Sequence, residues 1–265
     1  MEKSKKVSLI KRFVTALIMI PITFWVLFKG APYINIMSVL CGTALAWEWA
    51  NMIPNKKQSV FSAIYAAALA VSVTCFYADI IILTVTIGTL AAWFASRGEK
   101  NRILLTLGVP YIAVGLGSTI WFYNIMGPYL MLWLILAVWG MDIGGYFVGS
   151  TVKGPKLAPK ISPNKTWSGF LGGILLAIVF ACVFVWYFNS KDGYLIFALH
   201  TAFVAVLAQI GDLIESAIKR RVGVKDSSSL IPGHGGVFDR IDGVIFATPM
   251  LLLVMFIISS FGFIE

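Results

Sequence analysis

Apolar residues run in long blocks along this chain, and polar residues gather in the breaks between them. The blocks cover 13–28, 33–52, 60–78, 80–95, 103–124, 129–149, 169–188, 194–215 and 244–263. Their lengths cluster near the roughly 20 residues that a helix needs to cross a bilayer. The pattern predicts an all-α, polytopic integral membrane protein with about nine transmembrane helices.

Charge decides the orientation. Alternating the nine blocks across a membrane puts 19 of the 21 basic residues on one side, and only Lys29 and Lys191 on the other. Basic residues mark cytoplasmic loops, so the N-terminus is expected to be cytoplasmic and the C-terminus outside. A mean hydropathy of +0.87 with only 12% charged residues agrees with this class. The net charge of +9 would suit nucleic acid. Its confinement to connectors on one membrane face argues instead for topology and anionic substrates, and nucleic acid is not expected as a partner. The basic start and first apolar block resemble a signal peptide, but the block passes Pro21 to Phe28 without a small-x-small cleavage site. It is read as a retained span. Cys41, Cys75 and Cys182 all lie in apolar blocks without metal-ligand spacing, and are read as small buried hydrophobes.

Two regions differ in chemistry. Residues 1–128, with about five spans, are poor in polar groups. Glu48 is the exception, near the cytoplasmic end of the second span. It reads either as a paired or snorkelling carboxylate or as part of a site. Asp79 sits at an outer boundary, and the residues around Arg97, Glu99, Lys100 and Arg102 form an ordinary basic connector. Residues 129–265, with about four spans and cytoplasmic loops 150–168 and 219–243, carry the candidate catalytic groups.

The sixth span ends with Asp142 and Tyr146 one turn apart. The pairs Gly140/Gly144 and Gly145/Gly149 let another helix approach closely. Asp142 is expected to face a polar mouth and meet a Lys, an Arg or a bound cation. The following loop holds Lys153, Lys156, Lys160 and Lys165 with three prolines and no acid. Ser162 before Pro163 predicts a helix start, which would bring Lys165 and Thr166, on its first turns, near an anion. On the eighth span Gln209, Asp212, Ser216 and Lys219 form one polar stripe, with Glu215 beside it. His200 lies far from that end and reads as structural.

The stretch 216–242 is the densest. It holds five basic residues, three carboxylates, His234 and four glycines. A topology loop needs Lys and Arg, but it does not need Asp226, Asp239, Asp242 and Pro232-Gly-His-Gly-Gly. Such a mixture suits a metal–phosphate site, with Lys and Arg on phosphate oxygens, Asp on a divalent ion and glycines admitting an anion to the backbone.

The pattern Ser216-x-x-Lys219-Arg220-x4-Lys225-Asp226-x5-Pro232-Gly-His234-Gly235-Gly236-x-x-Asp239-Arg240-x-Asp242 resembles the signature of the phosphatidate cytidylyltransferase (CDP-diacylglycerol synthase) family. The resemblance extends through Gln209-x-Gly-Asp212-Leu-x-Glu215-Ser216, Ser162-Pro-Asn164-Lys165-Thr166 and Asp142-x-Gly-Gly-Tyr146. One departure is Ser168, where the family commonly has Glu. The resemblance implies transfer of CMP from CTP to phosphatidic acid, giving CDP-diacylglycerol and pyrophosphate in phospholipid biosynthesis. It implies Mg²⁺ on Asp212 and Asp239, a second cation such as K⁺ beside it, and a homodimer in the cell (inner or plasma) membrane with the active site facing the cytoplasm. Lys219, Arg220 and Asp142 join the two metal ligands as expected catalytic groups. Lys165, Asn164, Ser162, Thr166, Ser216, Lys225, Asp226, His234, Gly235, Gly236, Arg240 and Asp242 are expected on the substrate side.

The chemistry agrees with the residue types. Two anionic reactants need their repulsion screened, and an ionised phosphate monoester needs no strong base. His234 is therefore expected to position backbone or donate to phosphate. A transporter would line a path at mid-membrane within repeated, broken helices. Here the polar groups gather at one face, and no internal repeat is seen. A CTP-using lipid or polyprenol kinase would share the nucleotide but transfer the γ-phosphoryl group.

Overall fold

The computed structural model describes residues 2–74, 78–188, 193–233 and 235–260. His234, Cys75 and Lys191 lie outside the described residues. The elements are α1 (Glu2–Lys29), α2 (Tyr33–Met52), α3 (Gln58–Thr74), α4 (Ala78–Ala95), α5 (Arg102–Thr151), the strands β1 (Lys156–Ala158) and β2 (Ser162–Thr166), then α6 (Trp167–Phe188), α7 (Tyr194–Val222) and α8 (Phe238–Ser260). They follow the apolar blocks closely. Helix α5 covers two blocks and is broken at Gly127, whose φ of 78° and ψ of 178° only glycine adopts readily. Among the described residues, α5, α6, α7 and α8 are long and apolar enough to cross a membrane. Leu175, Val179, Val183, Leu195 and Leu199 on α6 and α7 are more than half exposed, an apolar surface suited to lipid.

The chain divides into two compact units: residues 1–124 with 221–241, and residues 125–220 with 242–265. In the first unit, α2 and α3 meet where Gly42 faces Leu69. Trp49 Nε1 donates to the Leu104 carbonyl (3.1 Å) and Tyr65 Oη to the Leu105 carbonyl (2.6 Å), so the polar tips of these buried rings are satisfied. Phe238 stacks edge-on to Trp49 and Tyr111, with centroids 5.5 and 5.7 Å away.

In the second unit the expected small-residue seam is present. A Cβ on Gly144 would lie 2.6 Å from the Gly172 carbonyl oxygen, and one on Gly140 would lie 2.7 Å from Ala177 Cα. A Cβ on Gly169 would in turn lie 2.7 Å from the Gly145 carbonyl oxygen. The C-terminal part of α5 and α6 therefore pack backbone to backbone.

The helix start expected at Ser162 is corrected: Ser162–Thr166 is a strand, antiparallel to β1, with Lys156 opposite Thr166 and Ala158 opposite Ser162. Ala158 and Ser162 each precede a proline, which disfavours the helical region and pushes the residue to extended backbone. The helix begins five residues later. Thr166 Oγ1 accepts the Gly169 N–H at 3.1 Å, so Thr166 is the cap. Ser168 Oγ donates to the Lys153 carbonyl and ties α6 to the segment leading into β1.

Candidate active site

The second unit gathers an acidic group. Asp212 and Glu215 stand one turn apart on α7, and Asp242 comes from α8. The two helices can approach because Gly211 has no side chain. A Cβ there would lie 2.8 Å from the Asp242 carbonyl oxygen and 2.7 Å from Phe246 Cβ. One carboxylate oxygen from each of Asp212, Glu215 and Asp242 lies within 4.8 Å of the others. Asp242 hydrogen-bonds to the Glu215 side chain and to the Gly243 amide. Two carboxyl groups can share a hydrogen bond only when one carries a proton. A cation between them removes that need.

Two lysines offset the charge. Lys165, carried on β2, makes an ion pair with Asp212 Oδ2, while Ser216 Oγ donates to Asp212 Oδ1 at 3.2 Å. Lys219 pairs with Glu215 at 3.0 Å, four residues along α7. Glu215 is 1% exposed and Lys219 8% exposed, so this pair is largely out of water. With all three ionised, three carboxylates against two lysines leave an acidic excess. At an effective dielectric of about 20, two like charges ~5 Å apart repel by about 3 kcal/mol, so a further cation relieves real strain. The donor set is all carboxylate oxygen, which suits a hard divalent ion.

The first unit holds a second polar centre of a different kind. Glu48 on α2 has no exposed surface. Its Oε1 accepts Ser228 Oγ (2.6 Å) and the Val237 N–H (2.8 Å); its Oε2 accepts Ser227 Oγ (3.1 Å) and the Phe238 N–H (2.8 Å). Asp239 Oδ2 accepts the Gly236 N–H (2.8 Å), the Ser227 N–H (3.0 Å) and Ser227 Oγ (3.2 Å). Gly235, at φ +84°, and Gly236 permit this crowding. A Cβ on Gly236 would lie 2.5 Å from Glu48 Oε1, and one on Gly235 would strike the Asp239 carboxylate.

The family model of the cytidylyltransferase family matches residues 10–258, nearly the whole chain. The chain belongs to that family. It is 34% identical over 254 residues to a phosphatidate cytidylyltransferase of Brucella suis biovar 1, covering 91% of each chain. It is 33% identical over 265 residues to one from Pseudomonas aeruginosa, covering 92% of this chain and 96% of that one. A phosphatidate cytidylyltransferase of Bacillus subtilis matches at 36% over 157 residues, 58% of each.

Within this family member, the expected site residues fall into three sets. Asp212, Lys165, Ser216, Lys219 and Asp242 come together in the second unit, with Glu215. Asp239, Gly235 and Gly236 lie in the first unit, around Glu48. Asn164, Arg220, Lys225, Asp226, Arg240 and Asp142 are exposed. Ser162 is half-buried in β2, and the Thr166 hydroxyl serves the α6 cap. Glu215 was visible in the sequence as an acid three after Asp212 and four before Lys219, a spacing that places all three on one flank of the helix. Asp242 joins the carboxylate group, where the sequence suggested only the substrate side.

Proposed function

We propose that this chain is a phosphatidate cytidylyltransferase that transfers CMP from CTP to phosphatidic acid. The observation that carries the reading is its similarity, over nine-tenths of its length, to proteins of that activity. The acidic group flanked by lysines supports it. A phosphate oxygen of the lipid forms the new bond to the α-phosphorus of CTP, and the bond to the β-phosphate bridging oxygen breaks, releasing pyrophosphate. The lipid phosphate is already largely ionised at neutral pH, its second pKa being about 6, so the chain need not supply a strong base. Lys165, Lys219 and Arg220 offset the charge of two anions brought together. Asp212, Glu215 and Asp242 would hold a divalent cation, Mg²⁺; the family pattern also carries Asp239 over as a metal ligand and K⁺ as a second cation. Bound there, the ion would supply charge neutralisation to the phosphate oxygens.

The placement follows from the substrates. The diacyl lipid stays in the bilayer and CTP arrives from water, so the site belongs at the cytoplasmic face. Nine crossings with the N-terminus inside complete the reading, with the protein as a homodimer in the cell membrane. Support for two crossings in α5 is arithmetic: its 50 residues would measure about 75 Å as one helix, against a hydrocarbon core of ~30 Å. The test is to incubate purified protein and phosphatidic acid with CTP labelled at either phosphorus. α-Label in the lipid is the expected result. γ-Label in the lipid would make it a kinase, and no label would remove the reading.

A further inference from the structure

We propose that Glu48 is a positioning residue for the reaction: it fixes the loop from Ser227 to Phe238 and, through Ser227, the carboxylate of Asp239. The proposal rests on the transferase reading above. Helix α2 is otherwise free of charge, and a carboxylate with no exposed surface persists in an apolar helix only against strong compensation. Here the compensation is complete. Each oxygen accepts one hydroxyl and one amide N–H. The two amides belong to Val237 and Phe238, at the start of α8, where N–H groups lack intrahelical acceptors and the helix dipole favours an anion.

The loop is shaped around this carboxylate. Gly236 has no room for a side chain because Glu48 and Ser227 occupy that space. Ser227 Oγ lies 3.1 Å from Glu48 Oε2 and 3.2 Å from Asp239 Oδ2, so its one hydrogen is shared between the two acids, while its N–H donates to Asp239 Oδ2 at 3.0 Å. Trp49, the next residue on α2, packs its ring against Phe238 and holds the same turn from the apolar side. The amides of Gly236, Val237 and Phe238 are thereby committed to the chain's own carboxylates. The glycine-rich turn accordingly receives Glu48 and Asp239.

The test compares Glu48→Gln, Ser227→Ala and the double variant in the full-length protein. Gln places an NH₂ donor where the loop presents donors. Expected for Glu48→Gln is a kcat at least tenfold lower with KM for CTP within threefold of wild type. Amide exchange by mass spectrometry should be at least tenfold faster across 227–238 and unchanged across 167–188. Ser227→Ala should lower kcat in the same way, and the double variant should be no worse than Glu48→Gln alone. A kcat for Glu48→Gln within twofold of wild type would overturn the proposal, as would losses that multiply in the double variant. Should Glu48→Gln not fold, Ser227→Ala decides: a wild-type kcat in that variant sinks the idea. If wild-type protein transfers no label from CTP, the transferase reading fails instead, and the exchange experiment still shows whether Glu48 holds the loop.

Discussion

Glu48 and Glu215 have almost the same burial, 0% and 1% exposed, and each lies on a largely apolar helix. Their surroundings differ in kind. Around Glu48 the donors are neutral amides and hydroxyls, as many as the carboxylate needs. Around Glu215 stand two other carboxylates and a lysine. The first arrangement is complete without any ligand and holds backbone still. The second sets three carboxyl groups against two lysines, and a cation among them would balance it. One carboxylate is spent on the chain's own backbone, and the other stands in a group that could hold a metal ion.

Removing charge from the two carboxylates that the family pattern assigns to the metal should give the largest effect. Asp212→Asn and Asp239→Asn should each lower turnover by at least about 100-fold, the scale of losing a principal charge-stabilising contact, while the protein still elutes as a folded species in detergent. Activity near wild type in either variant across a Mg²⁺ titration would remove that residue from the ligand set.

The lysines and Arg220 should follow. Lys165→Gln, Lys219→Gln and Arg220→Gln should each cost about tenfold or more in kcat/KM, the worth of one charge-assisted hydrogen bond. They should also differ among themselves. Lys219→Gln strands the buried Glu215 charge, so it should lower thermal stability as well, and Arg220→Gln should not. Exposed Arg220 should show the stronger salt dependence. Unchanged kinetics in all three would leave these residues as topology markers only.

Local pattern made one half of this comparison legible in the sequence. Asp212, Ser216 and Lys219 recur at helical spacing, and the paired glycines from 140 to 149 announced a close helix contact, because both signals sit within a few turns of one element. Glu48 was visible only as an isolated acid. Its hydroxyl partners lie 179 and 180 residues away, and no periodicity in α2 encodes them. Asp242 depended likewise on the approach of α8 to α7 at Gly211. Ser162-Pro163 carried two opposed local signals, a helix cap and an extended residue before proline. The hairpin decided between them, since Lys156 pairs across to Thr166.

The smallest expected effect reaches the incomplete centre through packing. Lys165 is carried by β2, whose last residue, Thr166, caps α6 and lies against Gly149. A Cβ on Gly149 would come 3.1 Å from Thr166 Oγ1 and 3.3 Å from Gly169 Cα. These contacts are tight without being impossible, so the hairpin should yield by a few tenths of an ångström rather than unfold. The overpacking cost should be about 1 kcal/mol, at the low end for such insertions. Lys165 would then meet Asp212 less well. Gly149→Ala should raise KM for CTP by a few-fold, less than Lys165→Gln does, with kcat little changed and the melting temperature slightly lower. The two changes should also be less than additive in the double variant, because both act on the same ammonium group. Full additivity would show that the Gly149 contact does not serve Lys165.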